Sequence, residues 1–324
     1  MPSTITHAYF SMDLYDRFNV KKREMLEPYK NQLKIFAQGP DVLFFYNLLS
    51  FKSGRIVRRL GNYMHHSDTR AFFVNLITQI KAKKLQHNPE VIAFLYGFIA
   101  HYVSDMTIHP FVLHKTGCFE KHDHSTYKYF GGHEQMEAYI DAYFMKIRGK
   151  VLPKNFKTHT FCFKKTKISK TLQQLIDDVF LQTFEEVSMG SKYASSIKQM
   201  KSFYKFFRND RTGIKKKIYY LSQILPFEVK METISFNINL DNTDYYLNMN
   251  KEYWHHPLDK NEIYNYSFIE LYSIALSKTL KLIEEVDKVL LHNKNLSSLN
   301  EVFPNLSYAS GRDCELGKGT HYSF

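Results

Sequence analysis

The stretch Gly97–Pro110, GFIAHYVSDMTIHP, is mostly apolar or aromatic, yet it carries His101, Asp105 and His109, each four residues from the next. Side chains four apart on a helix stand one above the other, with roughly 5–6 Å between Cβ atoms. Two of them can reach one ion, or two neighbouring ions. Neutral imidazole and carboxylate suit zinc, and a buried charge needs a compensating partner, which a metal ion supplies. The plainer alternatives are a hydrogen-bonded core histidine and a His/Asp salt bridge. The spacing recurs, however, in GGHEQMEAYID, where His133 and Glu137 are four apart and Asp141 lies one turn further on. Two helices that present His-x-x-x-carboxylate inward are how helix bundles build multi-metal sites. Asp141 reads either as a surface residue or as the partner that holds a ligand histidine in its tautomer.

Upstream, His7 sits in THAYF at a helical start, among aromatic and apolar neighbours. Asp41 follows a Gly-Pro turn in FAQGPDVLFF and reads as an N-cap or as a buried ligand. In GNYMHHSDT, His65 and His66 compete for one role, just before a helix. His122 and His124 fall in a loop, as ligands or as exposed residues. His255 and His256 follow Trp254 and read as packing or surface residues.

The elements that must position these groups are helical. Asn88-Pro89-Glu90 combines an N-cap, a Pro at the first helical position and an acidic first turn. The helix it opens is apolar nearly all round, so it is expected to be buried on every side. Pro110 is expected to stop it. Ser67-Asp68-Thr69 precedes a helix with Phe72, Phe73, Leu76, Ile77 and Ile80 at helical spacing. Ser169 and Ser191 are expected to cap two more helices. Ser267-Phe-Ile-Glu270 forms a capping box for a long helix ending near Leu291. Gly131 and Gly132 allow a sharp turn into the helix of His133. In TISFNINL, Ile234, Phe236, Ile238 and Leu240 alternate with polar residues, which predicts a short extended insertion. The expected architecture is a single all-α domain over residues 1–324. It comprises a metal-site core at about 4–145, a basic helical segment at 146–217 and a closing region at 244–324.

Composition narrows the class. The 324 residues are 44% hydrophobic and 16% aromatic, too apolar for a disordered chain. No continuous apolar run reaches the ~20 residues that cross a bilayer. The N-terminus lacks a basic region followed by an apolar run, so no signal peptide is expected. Cys118, Cys162 and Cys314 are odd in number and widely spaced, as expected of reduced thiols in a cytoplasmic protein. The net charge of +12 is concentrated between Lys146 and Lys217, where 18 Lys/Arg face 5 Asp/Glu. Such a segment suits an anionic membrane surface, nucleic acid or a phosphorylated substrate, or is simply a solvated Lys-rich face.

Taken in order, His7, Gly39-Pro40-Asp41, Met64-His65, His101-Tyr102-x-x-Asp105, His109-Pro110 and His133-x-x-x-Glu137 resemble the zinc-dependent phospholipase C family. That family shares its all-α fold with single-strand-specific zinc nucleases. The resemblance is strongest over residues 4 to 145. DYYLNMNKEYWHHP and SFIELYSIAL, between Asp244 and Leu276, also look like the C-terminal part of bacterial members. It implies two or three zinc ions. His101, Asp105, His65 and Asp41 would hold one, His109, His133 and Glu137 a neighbour, and His7 a third, with Asp105 bridging. Secreted members use a processed N-terminal Trp as a further zinc ligand. This chain opens Met-Pro-Ser-Thr, which leaves the third site in question.

The implied activity is phosphodiester hydrolysis by activated water, phospholipids first, with Asp41 orienting or deprotonating that water. Tyr9, Phe44, Phe45, Tyr46 and Tyr63 are candidates to wall a choline or acyl pocket. The competing readings are a nuclease or phosphatase using the same metals, and a non-catalytic helical protein with structural metal or none. An HD-type phosphatase needs an adjacent His-Asp pair, and only His122-Asp123 offers one.

Overall fold

The computed structural model describes residues 4–48, 54–119, 123–208, 210–221, 234–236, 238–292 and 295–315. The chain opens with α1 (Thr4–Arg17), α2 (Val20–Leu26) and α3 (Lys30–Phe36), followed by a 3₁₀ turn, Gly39–Phe45. Next come α4 (Arg55–His66), α5 (Thr69–Ala82), α6 (Pro89–Thr116) and α7 (Gly132–Ile147). The basic segment forms α8 (Thr158–Phe161), α9 (Lys170–Phe184), α10 (Met189–Phe203) and α11 (Ile214–Leu221). The last part holds α12 (Thr243–Leu247), a hairpin of β1 (Trp254–His256) and β2 (Asp259–Tyr264), α13 (Phe268–Leu291) and α14 (Leu299–Val302). The fold is all-α.

Helix α6 is the axis. From Glu90 to Asp105 every residue is buried, because α3, α13, α1 and α7 pack around it. By length and composition α6 could cross a membrane, but 89% of its apolar window is buried inside the protein. It is a core helix. Small residues let its neighbours approach: a Cβ on Gly97 would lie 2.5 Å from the Phe36 Cβ and 2.9 Å from the Ala37 nitrogen. That close contact sets the C-terminal end of α3 beside His101, one turn along.

The expected caps are present at Asn88, Ser169 and Ser267. Their side chains accept from Glu90, Leu172 and Glu270 backbone N–H groups, and Glu270 returns the bond to Ser267. Three expectations need correction. Pro110 does not stop α6, which runs six residues further to Thr116. Its ring fits helical φ and removes only the N–H that the Met106 carbonyl would use. The stop comes at Gly117, φ +67°, whose N–H bonds to the Leu113 carbonyl. Ser191 lies inside α10, which begins at Met189, and its hydroxyl donates to the Ser188 carbonyl.

His65 lies just ahead of α5, as expected, and also in the last turn of α4, a helix the sequence reading did not anticipate. The described residues between Ile234 and Leu240 form no strand; Thr233 and Asn237 lie outside the described residues. Phe236 is buried and its N–H bonds to the Arg208 carbonyl at the end of the preceding helical turn, not to a neighbouring strand. Among the described residues the two strands lie later, at Trp254–His256 and Asp259–Tyr264, paired antiparallel.

Candidate metal centre

Five elements bring the eight residues picked out above to one place. His7 comes from α1, Asp41 from the 3₁₀ turn, and His65 from the end of α4. His101, Asp105 and His109 come from α6, and His133 and Glu137 from α7. Asp105 lies at the middle. Its Oδ1 is 3.2 Å from His7 Nε2, and its Oδ2 is 3.2 Å from His101 Nε2 and 3.7 Å from His109 Nδ1. On one side, Asp41 Oδ1 lies 3.1 Å from His65 Nε2 and its Oδ2 lies 3.6 Å from His101 Nε2. On the other, Glu137 Oε1 lies 3.0 Å from His133 Nε2 and 3.4 Å from His109 Nε2. Three ligand sets result: His7/His101/Asp105, Asp41/His65/His101, and His109/His133/Glu137. Within each set the ligand atoms lie within 4.8 Å of one another.

Backbone carbonyls orient the rings. His101 Nδ1 lies 3.1 Å from the Ala37 carbonyl and His65 Nδ1 2.7 Å from the Gly61 carbonyl. The Ser104 hydroxyl donates to the His101 carbonyl, so its oxygen is left to accept from His7 Nδ1, 3.2 Å away. A carbonyl accepts only, so each of these Nδ1 atoms carries a proton. The Nε2 atoms then turn toward the carboxylates.

Burial makes this arrangement costly without a cation. Asp41 and His101 are fully buried, and Asp105 and Glu137 nearly so. Both oxygens of Asp41, Asp105 Oδ2 and His101 Nε2 are buried with no hydrogen-bond partner. Burial lowers the His101 pKa to about 4, against the opposing pull of Asp105 and Asp41. At neutral pH its Nε2 is therefore a bare lone pair facing two carboxylates, which repel it. A divalent ion between them would turn that repulsion into ligation. His7 and His109 go the other way. Burial alone lowers them, but the opposing charges and hydrogen bonds together outweigh it: Asp105, with Asp41, raises His7, and Asp105, with Glu137 and the Tyr308 carbonyl, raises His109 to about 9. Burial would raise Asp105 and Glu137, but the surrounding imidazoles hold both well below the usual carboxylate range. The donor set, all imidazole and carboxylate, fits zinc.

Two spaces adjoin the cluster. A small cavity of about 30 Å³, lined by His7, Ser104, Asp105, His109 and Glu137, has room for an ion or water. An open cleft of about 230 Å³ is bordered by Asp41, His65, His109 and His133, with Phe44, Leu113 and Ala309 as its apolar wall. His66 lines that cleft but enters none of the three sets. Burial, then His65 and His109, lower its pKa to about 4.

Other residues fall elsewhere. Asp141 bonds no ligand histidine. Fully buried, it accepts from Ile5 N–H (3.2 Å), Thr6 N–H (2.9 Å) and the Thr6 hydroxyl (3.0 Å), and so caps the helix that carries His7. His124 is exposed and His122 lies outside the described residues. The His255 ring meets His114, while His256 is within hydrogen-bond distance of the Ser310 carbonyl and accepts from Leu258 N–H. Of the aromatic candidates, only Phe44 lines the cleft. Tyr9 packs on Phe144 and Phe161, and Phe45 on Phe203 and Tyr204.

Sequence reasoning missed Tyr308. Its buried ring lies 5.1 Å from His65 and 5.6 Å from His101. Its carbonyl holds His109 Nδ1 at 3.2 Å, and its N–H bonds to the His65 carbonyl. Gly39 makes room for one of these rings. With φ +52°, it leaves room for the His101 ring, which a Cβ would meet at 2.5 Å.

A family model described as zinc dependent phospholipase C matches residues 1–190. The chain belongs to the zinc-dependent phospholipase C family. That match contains all eight residues of the cluster and ends before the loop of Tyr308. No curated protein and no solved structure matches the chain.

Proposed function

We propose that the protein is a zinc-dependent phosphodiester hydrolase that cleaves phospholipids in the manner of a phospholipase C. The observation that carries the reading is the buried His101 Nε2, a lone pair facing Asp41 and Asp105 with no proton or donor between them. The family supplies the identity of the ion. His7, Asp41, His65, His101, Asp105, His109, His133 and Glu137 are the proposed ligands, for two or three ions. Bound there, zinc supplies Lewis acidity and a water acidic enough to ionise near neutral pH.

The chain's own residues do the rest. Asp41, at the border between the cluster and the open cleft, is proposed to orient the attacking water and take its proton on a carboxylate oxygen. The Ala37 and Gly61 carbonyls fix the His101 and His65 tautomers, which aim both Nε2 atoms inward. Phe44, Leu113 and Ala309 offer the apolar wall against which the glycerol end of a lipid can lie. A purely structural metal site would be closed. Here four of the proposed ligands border open space, which supports catalysis.

The reading takes residues 1–324 as one domain, since α13 packs along α6 and the Tyr308 loop bonds to His65 and His109. It also gives the basic segment a part. Phe206, Phe207, Ile214 and Ile218 are exposed beside Lys205, Lys215, Lys216 and Lys217, a surface suited to an anionic bilayer.

The test is hydrolysis by the zinc-loaded protein of head-group-labelled phospholipid vesicles and, separately, of a single-stranded oligonucleotide. We expect release of the phosphorylated head group from lipid, reduced by about 10²-fold or more in Asp41→Asn. Cleavage of the oligonucleotide with no release from any phospholipid would replace this reading with the nuclease one. No turnover of either would favour a non-catalytic role.

A further inference from the structure

A second cleft, of about 330 Å³, opens on another face of α6. The hairpin, α13 and the loop after α14 form its other walls. Trp254, Tyr264 and Leu271 make its apolar lining, and Met106, Thr107 and Pro110 come from α6 itself. It is a separate chamber from the metal cleft. The loop divides them, with Ala309 on the metal side and Ser310, Gly311 and Arg312 on this one.

Its polar groups are unevenly used. Arg312 is paired with Glu262, and His256 is occupied by Ser310 and Leu258. Two of the remaining groups matter most. The Thr107 hydroxyl oxygen is buried with no hydrogen-bond partner. The Lys278 ammonium, at the rim, has no carboxylate partner among the described residues, and desolvation lowers its pKa although the residue reaches solvent. A volume of this size with aromatic walls, one uncompensated cation and one unused hydroxyl is what a small organic anion needs.

We propose that this cleft is a second ligand site, for a small molecule that carries a phosphate-like or carboxylate group on an apolar or aromatic body. The anionic group pairs with Lys278, the Thr107 hydroxyl supplies a further hydrogen bond, and the body lies against Trp254 and Tyr264. The site uses none of the metal-centre side chains, so it stands or falls apart from the hydrolase reading.

Trp254 is the chain's one tryptophan, so its fluorescence reports this cleft alone. The full-length protein is titrated with phenylphosphonate and with phenylacetate, neither of which is a phosphodiester. We expect a saturable change in Trp254 emission with one or both. Whichever responds identifies the anionic group, and Lys278→Met should weaken that response about tenfold or more. No saturable change with either probe at millimolar concentration would overturn the proposal. So would equal affinity in the wild type and Lys278→Met, which is a safe variant because Lys278 is exposed.

Discussion

Asp141→Ala removes the carboxylate that caps the N-terminus of α1. Two backbone N–H groups and one hydroxyl lose their acceptor at a fully buried position. Each buried polar group left without a partner costs about 1–3 kcal/mol. The Thr6 hydroxyl can turn to another acceptor, and the loss of a negative charge at a helix N-terminus adds a few tenths to about 1 kcal/mol. The expected loss is therefore about 3–5 kcal/mol, a large part of the 5–15 kcal/mol typical of a folded domain. Asp141→Asn keeps one acceptor oxygen for Thr6 but turns an amide N–H₂ toward the Ile5 N–H, so its loss should be about half as large. Urea unfolding followed by circular dichroism measures both, read as a shift in midpoint at constant slope. His7 sits one turn inside the helix that Asp141 caps, so zinc content should fall along with stability. A loss below about 1 kcal/mol in Asp141→Ala would refute the capping argument.

Gly39→Ala should cost about 2–4 kcal/mol and release zinc. The left-handed backbone is unfavourable for Ala by about 1–2 kcal/mol, and the new Cβ pushes the His101 ring off the Ala37 carbonyl. Gly132→Ala is the control. Its nearest neighbour would be the Thr116 carbonyl oxygen at 3.3 Å, so it should stay within about 1 kcal/mol of wild type. Burial, then His255 and Lys115, lower the His114 pKa to about 4, below its unfolded value of 6.5. This group's contribution to stability is present above pH 6.5 and is lost as pH falls toward 4. His114→Asn should therefore flatten the decline of the urea midpoint over that window, and a parallel decline would contradict the assignment.

The spacing rules read the heart of the site directly, because i and i+4 positions share a helix face whatever the tertiary contacts. His101, Asp105, His133 and Glu137 were legible for that reason. His7, Asp41 and His65 were legible only as an ordered set, since each comes from a different element. The mistakes have tertiary causes. Pro110 reads as a stop, yet the packed neighbours of α6 carry the helix past it. Asp141 has the right spacing to support a histidine, but the start of α1 packs against it and takes its oxygens. Tyr308 lies about 200 residues from His109, and its carbonyl and N–H act through the backbone, which side-chain identity does not encode. The Ala37 and Gly61 carbonyls escape a sequence reading for the same reason.

The central claim is that His101 and Asp105 belong to a zinc cluster at the border of an open cleft. Metal content by mass spectrometry, on protein purified without added metal, tests it most directly, with His101→Ala/Asp105→Ala beside the wild type. The account predicts two or more zinc ions per chain in the wild type and their loss in the double variant. A wild-type chain that carries no zinc and takes up none on titration would contradict it.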